Sequence, residues 1–174
     1  KRRARGDKRM EQVFDSSPIQ AVELLAASLH GMLTNPSTPW FTLRFKDEEI
    51  DSQDEAKLWL ESSTDAMYTA FNRSNFQQEI FELYHDLITF GTAAMFIEED
   101  DEDIVKFSTR HINEVFIAEN DKGRIDTIYR KFKISARAAI QKFGEAVSAD
   151  VQTKAKKDPY EEIEILHAVY PRSD

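Results

Sequence analysis

A chain of 174 residues, 41% of them apolar and 32% charged, with five glycines and five prolines, is long enough for one domain with a core, and its composition excludes low complexity over most of its length. The absence of cysteine excludes disulfides, thiol catalysis and thiolate metal sites, and suits a reducing compartment. The net charge of −9 is unevenly spread: residues 1–9 hold six Lys or Arg against one Asp, a +5 arm on a body of −14.

That arm comes first. Lys1, Arg2, Arg3, Arg5, Lys8 and Arg9 are candidates for contact with an acidic neighbouring subunit or with nucleic acid, the plain alternative being a solvated terminus. The acidic body argues against a surface that grips DNA by neutralising phosphates. No apolar run follows directly, so this is not the pattern of a signal peptide, and the sequence, beginning on lysine, reads as a piece of something longer. Met10, Val13 and Phe14 then anchor a short turn.

Ser17-Pro18-Ile19-Gln20 predicts a helix start, with Ser17 as cap, proline in the first turn and Gln20 completing a capping box. Ile19, Val22, Ala26, Leu29 and Leu33 line one face, and Leu24, Leu25 and Met32 widen it toward burial on two sides. Asn35-Pro36 stops the helix, and the alternation from Trp40 to Phe45 predicts a short strand. Lys46 to Asp51 reads as a polar connector. Ser52-Gln53-Asp54-Glu55 opens a second helix with Ala56, Trp59, Leu60, Ser63, Met67, Ala70 and Phe71 inside, ending near Arg73.

Ser74-Asn75-Phe76-Gln77 predicts a third capping box, followed by Ile80, Phe81, Tyr84, Leu87 and Ile88 on one helical face and a stop at Gly91. Thr92–Ile97 reads as a buried strand, Glu98–Asp103 as a solvated turn and Ile104–Thr109 as the returning strand of a hairpin, with Phe96 in the core. The uncharged run Leu87–Ile97 is far shorter than the roughly 20 residues of a membrane span. After a connector, Val115–Glu119 is a strand, Asn120–Gly123 a turn and Arg124–Ile134 a strand. Ser135 caps a helix with Ala138, Ala139, Ile140 and Phe143 inside, closed by Gly144; Ser148–Lys157 adds a polar helix, and Ile163–Tyr170 a last strand stopped by Pro171.

Catalytic patterns are missing: there is no nucleophile elbow, no zinc-binding helix and no phosphate-cradling glycine loop. His30, His85, His111 and His167 fall on different predicted elements. His85-Asp86 is the one adjacent His/acid pair, and neighbours on a helix point about 100° apart. The acid run Glu98–Asp103 could be read as a divalent-metal site of a nuclease, but it has neither the alternate spacing nor the glycine of a cation loop. Trp40 and Trp59 are read as core residues.

Arg9-Met10, Val13-Phe14-Asp15-Ser16, Leu24 through Pro36 (LLAASLHGMLTNP) and Trp40-Phe41 occur here in series, followed by Leu58-Trp59-Leu60, Ser74-Asn75-Phe76, Phe90-Gly91-Thr92-Ala93, Tyr129-Arg130-Lys131-Phe132 and His167 through Arg172. In order and spacing the set resembles the head-to-tail connecting (portal) proteins of short-tailed bacteriophages, across almost the whole chain. The resemblance implies a subunit of a homo-oligomeric, dodecameric ring at one capsid vertex, through which double-stranded DNA is packaged and ejected. It implies terminase and tail or adaptor proteins as partners through regions absent here, scaffold or capsid proteins as neighbours, a virion location after assembly in the host cytoplasm, no membrane, no cofactor, no metal and no catalytic residues. This chain would correspond to the N-terminal, wing-like part, without stem or clip.

The expectation is therefore an α+β fold, a helical N-terminal half on an antiparallel sheet drawn from residues 92–134 and 160–170. By domain it is a basic arm over 1–16 and a single wing-like domain over 17–174: helical to 91, strand-rich over 92–134, then short helices and a last strand. Function is structural. The alternatives are a protein–protein adaptor that builds no DNA channel, or a metal-dependent nuclease resting on the acid run.

Overall fold

A computed structural model describes residues 15–172. They gather into two compact units, one ending at Thr109 and the other beginning at Arg110, where the sequence reading carries 17–174 as one domain. The fold class is α+β, with helices in the N-terminal half and strands in the C-terminal half. The single sheet expected is in fact two: a two-stranded one in the first unit and a three-stranded one in the second.

In the first unit, α1 (Ser17–Leu33) carries proline in its first turn, where a missing N–H costs nothing. At its start the Asp15 carboxylate accepts the Ser17 N–H at 2.9 Å and the Ser17 hydroxyl at 2.8 Å. The predicted Ser17–Gln20 box does not form, because Ser17 is already helical. Ala26 is buried with Val22 and Leu29 half-buried, but Leu24, Leu25 and Met32 are exposed, so the helix is covered on one side and not two. The stretch read as a connector holds a short helix, α2 (Glu48–Asp51), whose start is capped by Asp47 accepting the Glu49 N–H at 2.9 Å.

Helix α3 (Asp54–Arg73) begins and ends as expected, yet Ser52 does not cap it; the Ser52 hydroxyl donates to the Glu49 carbonyl of α2 instead. Its buried residues are Leu60 and Thr64, whereas Trp59 and Met67, expected inside, are exposed. Helix α4 (Phe76–Phe90) also lacks its predicted Ser74–Gln77 box, since Ser74 closes α3. Gly91 ends α4 at φ 76°, a left-handed position that suits glycine.

Strands β1 (Ala94–Asp100) and β2 (Ile104–Arg110) form the expected hairpin, but β1 runs three residues into the acids and the turn proper is Asp101–Asp103. Helix α4 holds β2 through side chains. Asn75 donates to the Phe107 carbonyl at 2.8 Å and accepts the Phe107 N–H at 2.9 Å, and the Glu79 carboxylate accepts the Thr109 N–H. The core gathers Ala26, Phe76, Ile80, Tyr84 and Phe107, with Trp40 stacked on Phe76 at 5.8 Å and Phe71 on Phe76 at 4.8 Å. Phe107 is 3% exposed, while Phe96, expected in the core, is only half-buried.

In the second unit β3 (Val115–Glu119), β4 (Ile125–Ser135) and β5 (Glu162–Val169) pair antiparallel in that order. Asn120 makes the β3–β4 turn by accepting the Lys122 and Arg124 amides, and Gly123 supplies φ 69°. Ser135 caps α5 (Ala136–Phe143) as expected, and Ser148 caps α6 (Ala149–Lys157), the polar helix expected there. Within α5 only Ala136 and Ala139 are buried; Ile140 and Phe143, expected inside, are exposed. Ile117, Ile128 and Val169 stand side by side across the three strands and are exposed too.

Candidate functional site

The segment Pro39–Phe45 has the alternation of a strand in its sequence but forms none, and among the described residues no strand pairs with it. Side chains from the helices take its amides instead. The Tyr68 hydroxyl on α3 accepts the N–H of Trp40 at 2.6 Å and of Phe41 at 2.7 Å, and donates to the Phe41 carbonyl at 2.9 Å. One turn back, Thr64 accepts the Leu43 N–H at 3.4 Å, and Asp51 accepts the Phe45 N–H at 3.1 Å. Phe41 stacks on Tyr68 with centroids 4.5 Å apart. A polar backbone buried against a helix needs such partners.

Between this segment and α3 lies a groove of about 530 Å³. Phe41, Leu43, Leu60 and Tyr68 line it, and Asp51, Glu61, Asp65, Arg44 and Lys57 reach it from the sides. The surrounding surface is acidic: residues 47–65 contain eight Asp or Glu and one Lys. It also exposes apolar side chains, Leu58 at 67% and Trp59 at 60%, the latter stacked on Phe45 at 5.8 Å. Trp59, read from sequence as a core residue, is a surface residue here; Trp40 is core.

The sequence reading missed Tyr68 and Thr64. The signal was present, because Leu60, Thr64 and Tyr68 recur every four residues, but the larger Trp59 and Met67 drew the helix face one position round. The arm candidates Lys1, Arg2, Arg3, Arg5, Lys8 and Arg9 lie outside the described residues.

The histidines stand apart from one another, each with neighbours of its own. His30 is 2.9 Å from the Thr34 hydroxyl, which is 3.3 Å from the Tyr84 hydroxyl, a chain joining α1 to α4. His85 sets Nε2 3.4 Å from a Glu23 carboxylate oxygen, bridging the same two helices rather than pairing with Asp86. His111 accepts the Asn113 N–H at 3.2 Å, and His167 stands opposite Arg130 in the sheet.

In the acid run, the Asp100 carboxylate accepts the amides of Glu102 and Asp103 at 2.9 Å each, so it closes the hairpin turn. Those two amides hold its carboxyl below the usual aspartate range, the Asp103 bond contributing most. Among the described residues no group of three His, Asp or Glu converges as a metal site, and no helix is long and apolar enough to cross a membrane. In the second unit Arg130 gives Glu114 two bonds, at 3.0 and 2.8 Å, with its guanidinium 3.8 Å over the Phe132 ring.

Among the described residues the surface offers an open groove and exposed apolar side chains, and no metal-ligating group converges. The chain belongs to the bacteriophage head to tail connecting proteins, whose family model matches residues 1–174. It is similar to a probable portal protein of Bordetella phage BPP-1, 32% identical over 99% of this chain and 31% of the relative. A portal protein of Salmonella phage epsilon15 is likewise 32% identical, over 96% of this chain and 30% of its own. The chain spans about a third of the length of these relatives.

Proposed function

We propose that this chain is the wing-like part of a phage portal subunit, working by assembly and shape in a closed ring that conducts double-stranded DNA into and out of the capsid. Family membership over the whole chain is the observation that carries this reading. The acidic body suits a channel wall past which DNA must slide, since gripping DNA depends on neutralising its phosphates. Terminase and tail proteins meet the ring through parts of the subunit beyond this chain, and the assembled ring sits at a capsid vertex. No reaction is assigned to it.

The basic arm, with Lys1, Arg2, Arg3, Arg5, Lys8 and Arg9, serves subunit contact in this reading rather than DNA contact, since a ring sets an acidic body beside every arm. Electron microscopy of the full-length protein tests the ring. Closed rings, a dodecamer on the simplest form of the proposal, are expected; monomers or open chains would mean an adaptor. Incubation with plasmid DNA and Mg²⁺ or Mn²⁺ is expected to leave the DNA intact. Cleavage that disappears when Asp100 and Asp101 are neutralised would make the protein a nuclease.

A further inference from the structure

We infer that the groove between Pro39–Arg44 and α3 receives the N-terminal arm of a second copy of this chain. The inference deepens the ring reading above and rests on it for the presence of a neighbouring copy. Its footing is the match between groove and arm.

The groove is about 530 Å³, within the roughly 300–1,000 Å³ of built ligand sites, and its floor of Phe41, Leu43, Leu60 and Tyr68 is apolar. Asp51, Glu61 and Asp65 line it against Arg44 and Lys57, and the wider stretch 47–65 carries seven net negative charges. An occupant must therefore bring apolar side chains and several cations on one short stretch of chain. Residues 1–14 do: six Lys or Arg lie within residues 1–9, and Met10, Val13 and Phe14 follow immediately.

DNA is the poorer occupant, because seven net negative charges repel phosphate.

The test is a titration of the intact chain into a labelled peptide of residues 1–14. Saturable binding that weakens with added salt is expected, since the charges attract over a Debye length of about 10 Å at 0.1 M. The double variant Glu61→Gln with Asp65→Asn, both exposed and so harmless to the fold, should raise Kd about three- to tenfold. A peptide with Met10, Val13 and Phe14 replaced by serine should also bind more weakly, which simple charge attraction would not produce. Equal binding by the variant chain or by the serine peptide overturns the inference.

Sedimentation of the full-length protein lacking residues 1–9 decides the second-copy part. Weaker self-association at low salt with unchanged duplex-DNA affinity supports it. Unchanged association with lost DNA binding makes the arm a nucleic-acid contact, and unchanged association with unchanged DNA affinity places the arm in its own groove; either result overturns it. Closed rings from a protein whose peptide binding fails would sink the groove assignment and leave the portal reading standing.

Discussion

The unit ending at Thr109 buries Phe76, Ile80, Tyr84 and Phe107 in one cluster, whereas in the unit from Arg110 the buried apolar residues are Ala136 and Ala139. The first is held by large side chains interlocking between α1, α4 and β2. The second is held by its ladder, by caps at Ser135 and Ser148, and by charge pairs such as Lys133–Glu162 at 2.8 Å and Lys131–Glu164 at 3.0 Å. Those pairs are more than half exposed and stabilise little. Apolar burial is the dominant favourable term in folding, so the two units should respond very differently to truncation.

The largest expected effect tests that contrast directly. Phe107→Ala removes a ring that is 3% exposed and packed on Phe71 and Phe76, and should cost about 3–5 kcal/mol. Phe96→Ala and, in the second unit, Phe132→Ala remove half-buried rings and should cost clearly less. Both tryptophans lie in the first unit, so their fluorescence follows that unit in a denaturant titration while far-UV circular dichroism follows both. Equal midpoint shifts for the three variants would erase the distinction.

The next effect belongs to the second unit, where a polar pair takes the place that rings hold in the first. Arg130 is 18% exposed and depends on the Glu114 carboxylate for both its bonds to that residue. Glu114→Ala strands the guanidinium over Phe132 and should cost about 1–2 kcal/mol, a value reduced by the half-open carboxylate. Loss of ellipticity at lower denaturant with the tryptophan transition unmoved is the expected signature. A shift in the tryptophan transition as well would mean that the two units unfold together.

The same contrast explains which parts of the fold the sequence disclosed. In the second unit the punctuation is local: Asn120 and Gly123 make the turn, Ser135 and Ser148 cap the helices, and Pro171 follows the last strand, so those elements could be placed. In the first unit three helix caps fall one residue from the one expected. Asp15, Ser16 and Ser17 all qualify as caps, as do the neighbours of Ser52 and Ser74, and the choice falls to the packing around them. Trp40–Phe45 was readable as extended backbone, but periodicity does not say whether a strand or a tyrosine hydroxyl will take the amides. The groove was invisible for that reason. The acidic character of its surroundings and the apolar residues after the arm were legible, though not their possible meeting.

A smaller effect, of opposite sign, sits at the hairpin tip of the first unit. Ile104 follows the turn at φ 72°, where a β-branched residue is strained. It is exposed, so nothing in the core is lost on replacing it. Ile104→Gly should stabilise the first unit by about 0.5–1 kcal/mol, the relief being partly offset by the freedom glycine gains when unfolded. A destabilised hairpin would mean that the Ile104 side chain contributes packing that outweighs its strain.

The smallest effect separates the units by pH. In the first, the Asp103 and Glu102 amides hold the Asp100 carboxyl below its ordinary value. A depressed acid favours the fold above the unfolded value, and that contribution is lost as pH falls through the folded one. In the second, Asp150 followed by Glu161 raises Lys154 above the ordinary lysine value, with the Asp150 oxygen 3.3 Å away. Its contribution has the opposite sense: it is present below the unfolded value and lost as pH rises through the folded one. Both groups are open to solvent in part, so local spectroscopic signals are the readout rather than global stability. The amide resonances of Glu102 and Asp103 should therefore move with a midpoint on the acid side of free aspartate, and those of α6 only on the alkaline side of free lysine. Asp100→Asn should abolish the acid transition and leave the alkaline one in place. An acid transition that survives the substitution would assign it to another carboxylate of the run Glu98–Asp103 and remove Asp100 from its role as the residue that closes the turn.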